Sequence, residues 1–241
     1  MPVKFAHLFL FIFSSFRMTN TKLSHLVFCF ILFAGCFSVN NQTALAQDAS
    51  SNIETPKNAD EFNDLFGKTI DSLGDLIQLG GYRPDEPNAE EIAALKQHIK
   101  ALDALLAFKS DHWQSMLLKA KAYQRLGEHP AALEWLMKGM EVEPNNHILP
   151  KEASIEAVVM CDMEKALEFS AEAVNRKEGD PELLGNHAMN FLLAEKDEDA
   201  RQTIKMAIEA APDDAFNQRI SRLIEDVIAG KKDRPTCDSI F

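Results

Sequence analysis

Residues 113–146 read WQSMLLKAKAYQRLGEHPAALEWLMKGMEVEPNN, and this stretch decides the fold. Its pattern predicts two short helices joined by a tight turn. Met116, Ala120 and Tyr123 follow an i, i+4, i+7 spacing and therefore share one face of the first helix. Gly127 stands just past the end of that helix, where glycine is the usual residue. The stretch is therefore predicted to form a helix–turn–helix unit.

The same pattern recurs along the chain at a fixed period of 34 residues. Three columns keep a small residue in every unit: Ala120, Ser154 and Ala188; Ala132, Ala166 and Ala200; Gly139, Ala173 and Ala207. Small residues at these places let two helix backbones approach closely. The register gives three consecutive units, 113–146, 147–180 and 181–214. Unit two departs most from the pattern, because Cys161 stands where unit one has its turn glycine.

A period of 34 with this residue pattern resembles the tetratricopeptide repeat (TPR) family, in which each repeat is a helix–turn–helix. The resemblance implies an all-α fold, a right-handed α–α superhelix (a TPR-like solenoid) of three repeats with N-terminal helices and a C-terminal capping helix. We divide the chain accordingly into residues 1–46 as a signal peptide, 47–60 as a disordered spacer, 61–110 as N-terminal helices, 111–230 as the repeat array with its capping helix, and 231–241 as a tail.

The first 46 residues have the character of a secretory signal peptide. They contain no Asp or Glu, and an apolar run at 26–39 precedes an Ala-x-Ala cleavage site at residues 44–46. This arrangement favours Met18 as the true start of translation. Two alternatives stay open: residues 33–36 resemble a bacterial lipobox with lipidation at Cys36, or the segment remains as an uncleaved anchor. Each predicts an exported domain, in a bacterial periplasm or secreted.

The charge of the remaining chain excludes several partner classes. Residues 47–241 hold 22 Lys and Arg against 37 Asp and Glu, a net charge of −15. A nucleic-acid binder would need a basic surface, and so would a domain that docks on anionic lipids. We therefore expect no nucleic-acid partner. We also expect no membrane span after signal cleavage, because no segment approaches the ~20 apolar residues of a spanning helix.

Amphipathic helices are predicted on both sides of the repeats. Residues 61–79 carry an apolar stripe that either docks on a partner or a membrane, or covers the first repeat. Their polar face is acidic, whereas that of a membrane-surface helix is usually basic, and this favours the second interpretation. Asn88 is a good N-cap for a helix that runs to about Phe108. Residues 215–229 form one more apolar stripe, as expected of a helix that closes a repeat array.

Cys161 and Cys237 are the two cysteines left once residues 1–46 are removed. An oxidising compartment permits a disulfide between them. Residues 231–237 can reach about 23 Å when extended, which is similar to two helix-packing steps of about 8–10 Å each. A Cys161–Cys237 bridge would staple the tail across unit three, and the alternative is two free thiols.

No catalytic constellation is found in the sequence, and we predict neither a metal site nor a cofactor. The histidines form no His-x-x-x-His pair or Glu-flanked zinc motif, and no glycine-rich phosphate loop is present. Neither Cys161 nor Cys237 belongs to a Cys-x-x-Cys pair. We therefore expect that the protein is not an enzyme.

In a TPR array the first helices of successive units line a concave groove that typically holds a partner peptide. The resemblance assigns this groove to Gln114, Leu117, Lys121, Gln124 and Arg125 in unit one, to Lys151, Ile155 and Val159 in unit two, and to Asn186 and Met189 in unit three. One end is basic and could recognise a carboxylate. The alternative is that the apolar positions belong to the core or lie under the 61–79 helix, while the basic ones are solvated.

The sequence thus favours a non-catalytic exported TPR adaptor or scaffold that binds a protein or peptide segment in its groove. The alternative is a structural module of the cell envelope that self-associates into a homo-oligomer, with no peptide ligand.

Overall fold

The computed structural model describes residues 53–83 and 85–240. The predicted signal peptide, the start at Met18, Cys36 and the first six residues of the predicted spacer lie outside the described residues. Within them the elements are α1 (Ala59–Leu73), α2 (Ala89–Phe108), α3 (Trp113–Arg125), α4 (His129–Val142), α5 (Ile148–Val159), α6 (Met163–Arg176), α7 (Pro181–Leu193), α8 (Asp197–Ala210), α9 (Ala215–Ile228) and the short α10 (Cys237–Ile240).

The helices form an all-α solenoid in which each element packs on its neighbours in sequence. The pairs α3–α4, α5–α6 and α7–α8 are the three predicted units, and each second helix also packs on the first helix of the next unit. The unit boundaries predicted from the 34-residue register fall between these pairs. Helix α9 packs on both α7 and α8, in the place where a fourth unit would begin.

Small residues make this packing possible. All nine residues of the three small-residue columns are buried. At Gly139 a Cβ atom would lie 3.0 Å from Cδ2 of Leu149, so no larger side chain fits there without movement of its neighbour. Larger apolar side chains fill the space beside them, among them Leu136, Leu149 and Phe169. The columns therefore mark where helices touch, as predicted.

The turn between the two helices of each unit takes a left-handed residue at one repeat position. Gly127 has φ +74°, Cys161 has φ +55° and Glu195 has φ +59°. Glycine adopts this conformation freely, whereas in other L-residues the Cβ atom comes too close to the backbone and raises the conformational energy. The turn geometry thus persists in units two and three although the glycine does not.

Helix α1 is shorter than predicted. It begins at Ala59, two residues inside the predicted spacer, because the Asn58 side chain accepts a hydrogen bond from the Glu61 amide and caps it. It ends at Leu73, just before Gly74. The last six residues of the predicted segment, 74–79, therefore belong to a connection that runs to Asn88. The apolar face of α1 lies on α2, where Phe62 and Leu73 join one buried cluster.

The chain after α9 returns along the turns of the repeats. The guanidinium group of Arg234 donates to the carbonyl oxygen of Leu192 (2.6 Å) and to the Asp197 carboxylate (3.0 Å). A disulfide then joins Cys237 to Cys161, with their Cα atoms 5.5 Å apart. The tail is thus fixed beside the turns of units three and two. No helix among the described residues is long and apolar enough to cross a membrane.

Candidate peptide-binding face

The predicted groove residues lie on one face of the first helices of the units. We call this the groove face and define it by two columns at the 34-residue spacing, which are Lys121, Ile155, Met189 and Leu223, and Arg125, Val159, Leu193 and Val227. These residues lie on α3, α5, α7 and α9 in turn. The members on α3, Lys121 and Arg125, are charged, and we call them the first half of the face. The members on α5, α7 and α9 are apolar, and we call them the second half.

The first half lies under the connection between α1 and α2. Within this connection we call the described residues 79–83 and 85 the strap. The strap contacts the groove face through Gly80, Gly81 and Asp85. It belongs to no repeat, so the register alone gives no sign of where it lies.

Lys121 is the centre of the covered half. It is 1% exposed, and its Nζ lies 2.8 Å from Oε2 of Glu152, which is also 1% exposed. The same Nζ donates to the carbonyl oxygen of Gly81 at 2.6 Å, and the Gly80 amide donates to the other oxygen of Glu152 at 2.7 Å. The charged pair and the strap main chain thereby satisfy each other's hydrogen-bonding groups, as buried charges require.

Arg125 is held in the same way one turn further along α3. It is buried, and it donates to the main-chain carbonyl of Asp85 and, at 2.9 Å, to the Asp85 carboxylate. Glu91 on α2 lies 3.5 Å from the same guanidinium. Arg83 and Arg125 together lower the pKa of Asp85, chiefly through the hydrogen bond from Arg83. This carboxylate is therefore ionised at neutral pH.

Gln124 completes the covered half. Its amide donates to Glu156, which is fully buried on α5, and His129 Nδ1 lies 2.9 Å from the other oxygen of Glu156. The sequence analysis placed Gln124 on an open groove, but its side chain serves the contact between units one and two.

The basic end predicted from sequence is therefore not open. Lys121, Gln124 and Arg125 are buried, as is the apolar Leu117 at 8% exposure. In the alternative considered above, the apolar positions belonged to the core or lay under helix 61–79 and the basic residues were solvated. Leu117 does belong to the core, but the basic residues are not solvated. The cover is the strap, and the cations are paired beneath it. Lys151 pairs with Glu182 at the rim.

The second half of the face is different in kind. It presents six apolar side chains, each partly exposed: Ile155, Val159, Met189, Leu193, Leu223 and Val227. We call this set the apolar strip. Ile155, Val159, Met189 and Leu193 lie at positions that the sequence register assigns to the groove. Leu223 and Val227 were not predicted, although one more step along the 34-residue columns reaches them. Asn186 lies beside the strip on α7 and Gln114 at the other end of the face, both partly exposed.

One serine–histidine contact between α6 and α7 resembles catalytic chemistry but cannot perform it. The Ser170 hydroxyl lies 2.7 Å from His187 Nδ1 and also 2.7 Å from the Ala166 carbonyl oxygen. Because that carbonyl only accepts, the hydroxyl donates to it and accepts from the imidazole. Ser170 is 3% exposed. Burial lowers the pKa of His187 to about 4, so the ring is neutral at pH 7 and serves packing.

Comparison with known proteins agrees with the fold. No protein-family model and no curated protein matches the sequence. Among solved structures, the MamA RS-1 ArsTM double mutant is 11% identical with a TM-score of 0.57 and covers 73% of this chain and 88% of its own. YrrB, a TPR protein with an unusual peptide-binding site, is 13% identical with a TM-score of 0.53 and covers 80% and 85%.

A third solved structure, the first TPR of Spaghetti (RPAP3) bound to HSP90 peptide SRMEEVD, is 19% identical with a TM-score of 0.46 and covers 50% of this chain and 96% of its own. The two structures with the larger TM-scores match this fold over 73% and 80% of the chain. The chain therefore has the fold of a tetratricopeptide-repeat protein.

Proposed function

We propose that this chain is an exported, non-catalytic adaptor that holds a polypeptide segment of a partner protein on its apolar strip. The observation that carries this proposal is the strip itself. Six partly exposed apolar side chains recur in register on three alternate helices, α5, α7 and α9, in the columns whose first members are buried under the strap. Apolar side chains that face solvent in a contiguous set favour an interaction surface.

The spacing of the strip suits a partner segment with a regular apolar pattern. Neighbouring packed helices lie about 8–10 Å apart. A partner helix offers apolar residues at that interval when they are seven apart, because two turns rise about 10.5 Å. A segment in the polyproline II conformation does so when they are three apart, because three residues make one turn and rise about 9.3 Å. We therefore expect an amphipathic partner segment with one of these two periods.

Export is supported by two independent features. The first is the signal-peptide pattern of residues 1–46, which lie outside the described residues. The second is the Cys161–Cys237 disulfide, because disulfides persist in oxidising compartments. Fractionation of the host cell, with detection of the mature N-terminus, tests this part of the proposal. A protein found in the cytoplasm with residues 19–46 intact would contradict it.

The adaptor proposal is tested by one substitution on two faces of the solenoid. Met189→Glu places a charge in the apolar strip, while Met206→Glu places the same charge on α8, where Met206 is 55% exposed and lies outside the groove face. Tagged full-length chains are expressed in the native host and recovered with their partners after crosslinking. We expect one partner to be lost with Met189→Glu and kept with Met206→Glu, with both variants folded by circular dichroism. Equal recovery from both variants would contradict binding on the strip.

Self-association is the second candidate function, and a separate surface favours it. Ile70 on α1 and Phe108 at the end of α2 are each 41% exposed, at the N-terminal end of the array. Sedimentation over a hundredfold range of concentration distinguishes this candidate. A mass that rises with concentration in the parent and not in Ile70→Glu/Phe108→Glu would support it. A constant monomer mass would contradict it.

A further inference from the structure

The strap contacts the groove face mainly through its main chain. Glu152 accepts from the amide of Gly80, Lys121 donates to the carbonyl of Gly81, and Arg125 donates to the carbonyl of Asp85. Three successive first-helix side chains from two units thus bind amide and carbonyl groups of one crossing segment. Every polypeptide offers these groups, but the turn that presents them here requires a glycine, because Gly80 has φ +76°.

One strap contact does depend on a side chain. The Asp85 carboxylate lies 2.9 Å from Arg125, and this aspartate is 55% exposed in its side chain. Arg125 keeps an unpaired Nε under the strap. The site beneath the strap therefore prefers a segment that carries a carboxylate five residues after its first anchored amide.

The strap is held chiefly by polar contacts. Leu79 is 60% exposed, Gly80 and Asp85 are also exposed, and Tyr82, whose ring lies 6.1 Å from that of His129, is partly exposed. Its side chains therefore contribute less apolar burial than the helices beneath it do. A segment with few buried apolar contacts opens at a lower free energy than the core does. The strap can thus leave the face while the array stays folded.

We infer that the strap is an internal ligand that occupies the first half of the groove face and competes for it with carboxylate-bearing polypeptide segments that form the same glycine turn. The inference rests on the proposed function only for the source of the competing segment. It needs neither the apolar strip nor export. When the strap is displaced, Lys121 and Glu152 remain paired with each other. The hydrogen bonds that they made to the strap are then available to the main chain of another segment.

A peptide with the strap's own sequence tests the inference in trans. The probe is fluorescently labelled QLGGYRPDEP, residues 78–87, measured by fluorescence anisotropy against purified full-length chains. The strap is weakened by Gly80→Pro/Asp85→Ala, which removes the amide that binds Glu152 and the carboxylate that binds Arg125 without altering a helix. Glu86→Ala, an exposed acid in the same connection, is the matched control.

We expect the weakened chain to bind the probe at least about tenfold more tightly than the parent and the control do, because a site that is mostly occupied in cis has a proportionally lower apparent affinity. A probe with a methylated Gly80 nitrogen or with lysine in place of Asp85 should lose this binding. Far-ultraviolet circular dichroism of each chain verifies the fold.

Two results would overturn the inference. If the folded, strap-weakened chain does not bind the probe, the site does not take a segment in trans. If parent and weakened chains bind it equally, the strap does not compete for the site. Neither result affects the Met189→Glu and Met206→Glu comparison, so failure here is distinguishable from failure of the adaptor proposal.

Discussion

The two halves of the groove face occupy the same repeat positions and differ in almost every other respect. In the first half Lys121 and Arg125 are buried, paired and covered by the strap. In the second half Met189 and Leu193, two repeats further on, are apolar and partly exposed. The comparison teaches that the register fixes where a side chain stands, whereas its access to solvent depends on what lies over it. A segment outside the repeats decides this in the first half.

The largest effect should follow from breaking the buried pair of the first half. Lys121→Met leaves Glu152 without its cation in a site that water does not reach, which costs about 3–5 kcal/mol in comparable buried pairs. The matched change in the second half, Met189→Lys, should cost under about 1 kcal/mol, because a partly exposed lysine can extend its ammonium to solvent. Urea unfolding followed by circular dichroism measures both values.

A double substitution controls for this result. Lys121→Met/Glu152→Leu should recover most of the lost free energy of unfolding, because an apolar pair leaves no buried charge. Similar small losses from Lys121→Met and Met189→Lys would mean that the two halves do not differ in the way described.

The disulfide should stabilise the second half more than the first. Cys161 and Cys237 are 76 residues apart, and a bridge across a loop of this size typically adds about 2–4 kcal/mol by restricting the unfolded chain. Cys161→Ser/Cys237→Ser should therefore lower the free energy of unfolding by that amount. Hydrogen exchange should quicken at the turns beside the tail and stay unchanged under the strap. Intact mass after alkylation with and without reductant verifies the bridge, and uptake of alkylating agent without reduction would contradict it.

A pH effect should arise in the second half from His187 on α7. Burial, the main cause, lowers its pKa from 6.5 to about 4, so between these values the unfolded chain binds more protons than the folded one. The free energy of unfolding should fall as pH decreases through this interval, level off below about pH 4, and lose on the order of 2 kcal/mol after allowance for partial exposure. His187→Gln, which keeps a donor for Ser170, should flatten the decline. An unchanged pH profile in this variant would assign the decline to other groups.

The smallest effect concerns the turns inside the repeat units. The left-handed residue is a glycine in unit one and a glutamate in unit three. Glu195 holds φ +59° without being glycine, so Glu195→Gly should raise the free energy of unfolding by about 1 kcal/mol. Gly127→Ala, at φ +74° with no atom within 4 Å of the added Cβ, should lower it by a similar amount through the backbone alone. Thermal unfolding of both variants measures the pair. Shifts of the same sign would show that the turns are not equivalent.

Sequence reasoning succeeded where one periodicity controls the answer. The spacing of Ala132, Ala166 and Ala200 located the helix contacts, and the 34-residue register located the turns, including the one that holds Cys161. It gave the positions of Ile155, Val159 and Met189 on one face. Asn88 was a reliable helix start because a cap acts locally, and the structure has the capping box that it forms with Glu91.

Sequence reasoning did not extend to contacts between distant segments. The strap has no periodicity, and Gly80 lies 72 residues from Glu152, which accepts its amide. Arg125 on α3 and Asp85 in the strap are 40 residues apart in sequence and form an ion pair. A basic residue on a groove position has the same sequence signature whether it is solvated, bound to a ligand or covered. No local pattern distinguishes these states.

The sequence by itself thus determined the helices, their pairing and the columns that form the groove face, since backbone periodicity and small-residue contacts are short-range properties. The tertiary structure decided which part of that face is available. Burial of Lys121, Glu152 and Arg125 depends on where a non-repetitive connection lies, and that position follows from many long-range contacts together. Solvent exposure is a property of the assembled molecule, and therefore the open apolar strip and the covered charged half emerge only once the chain is folded.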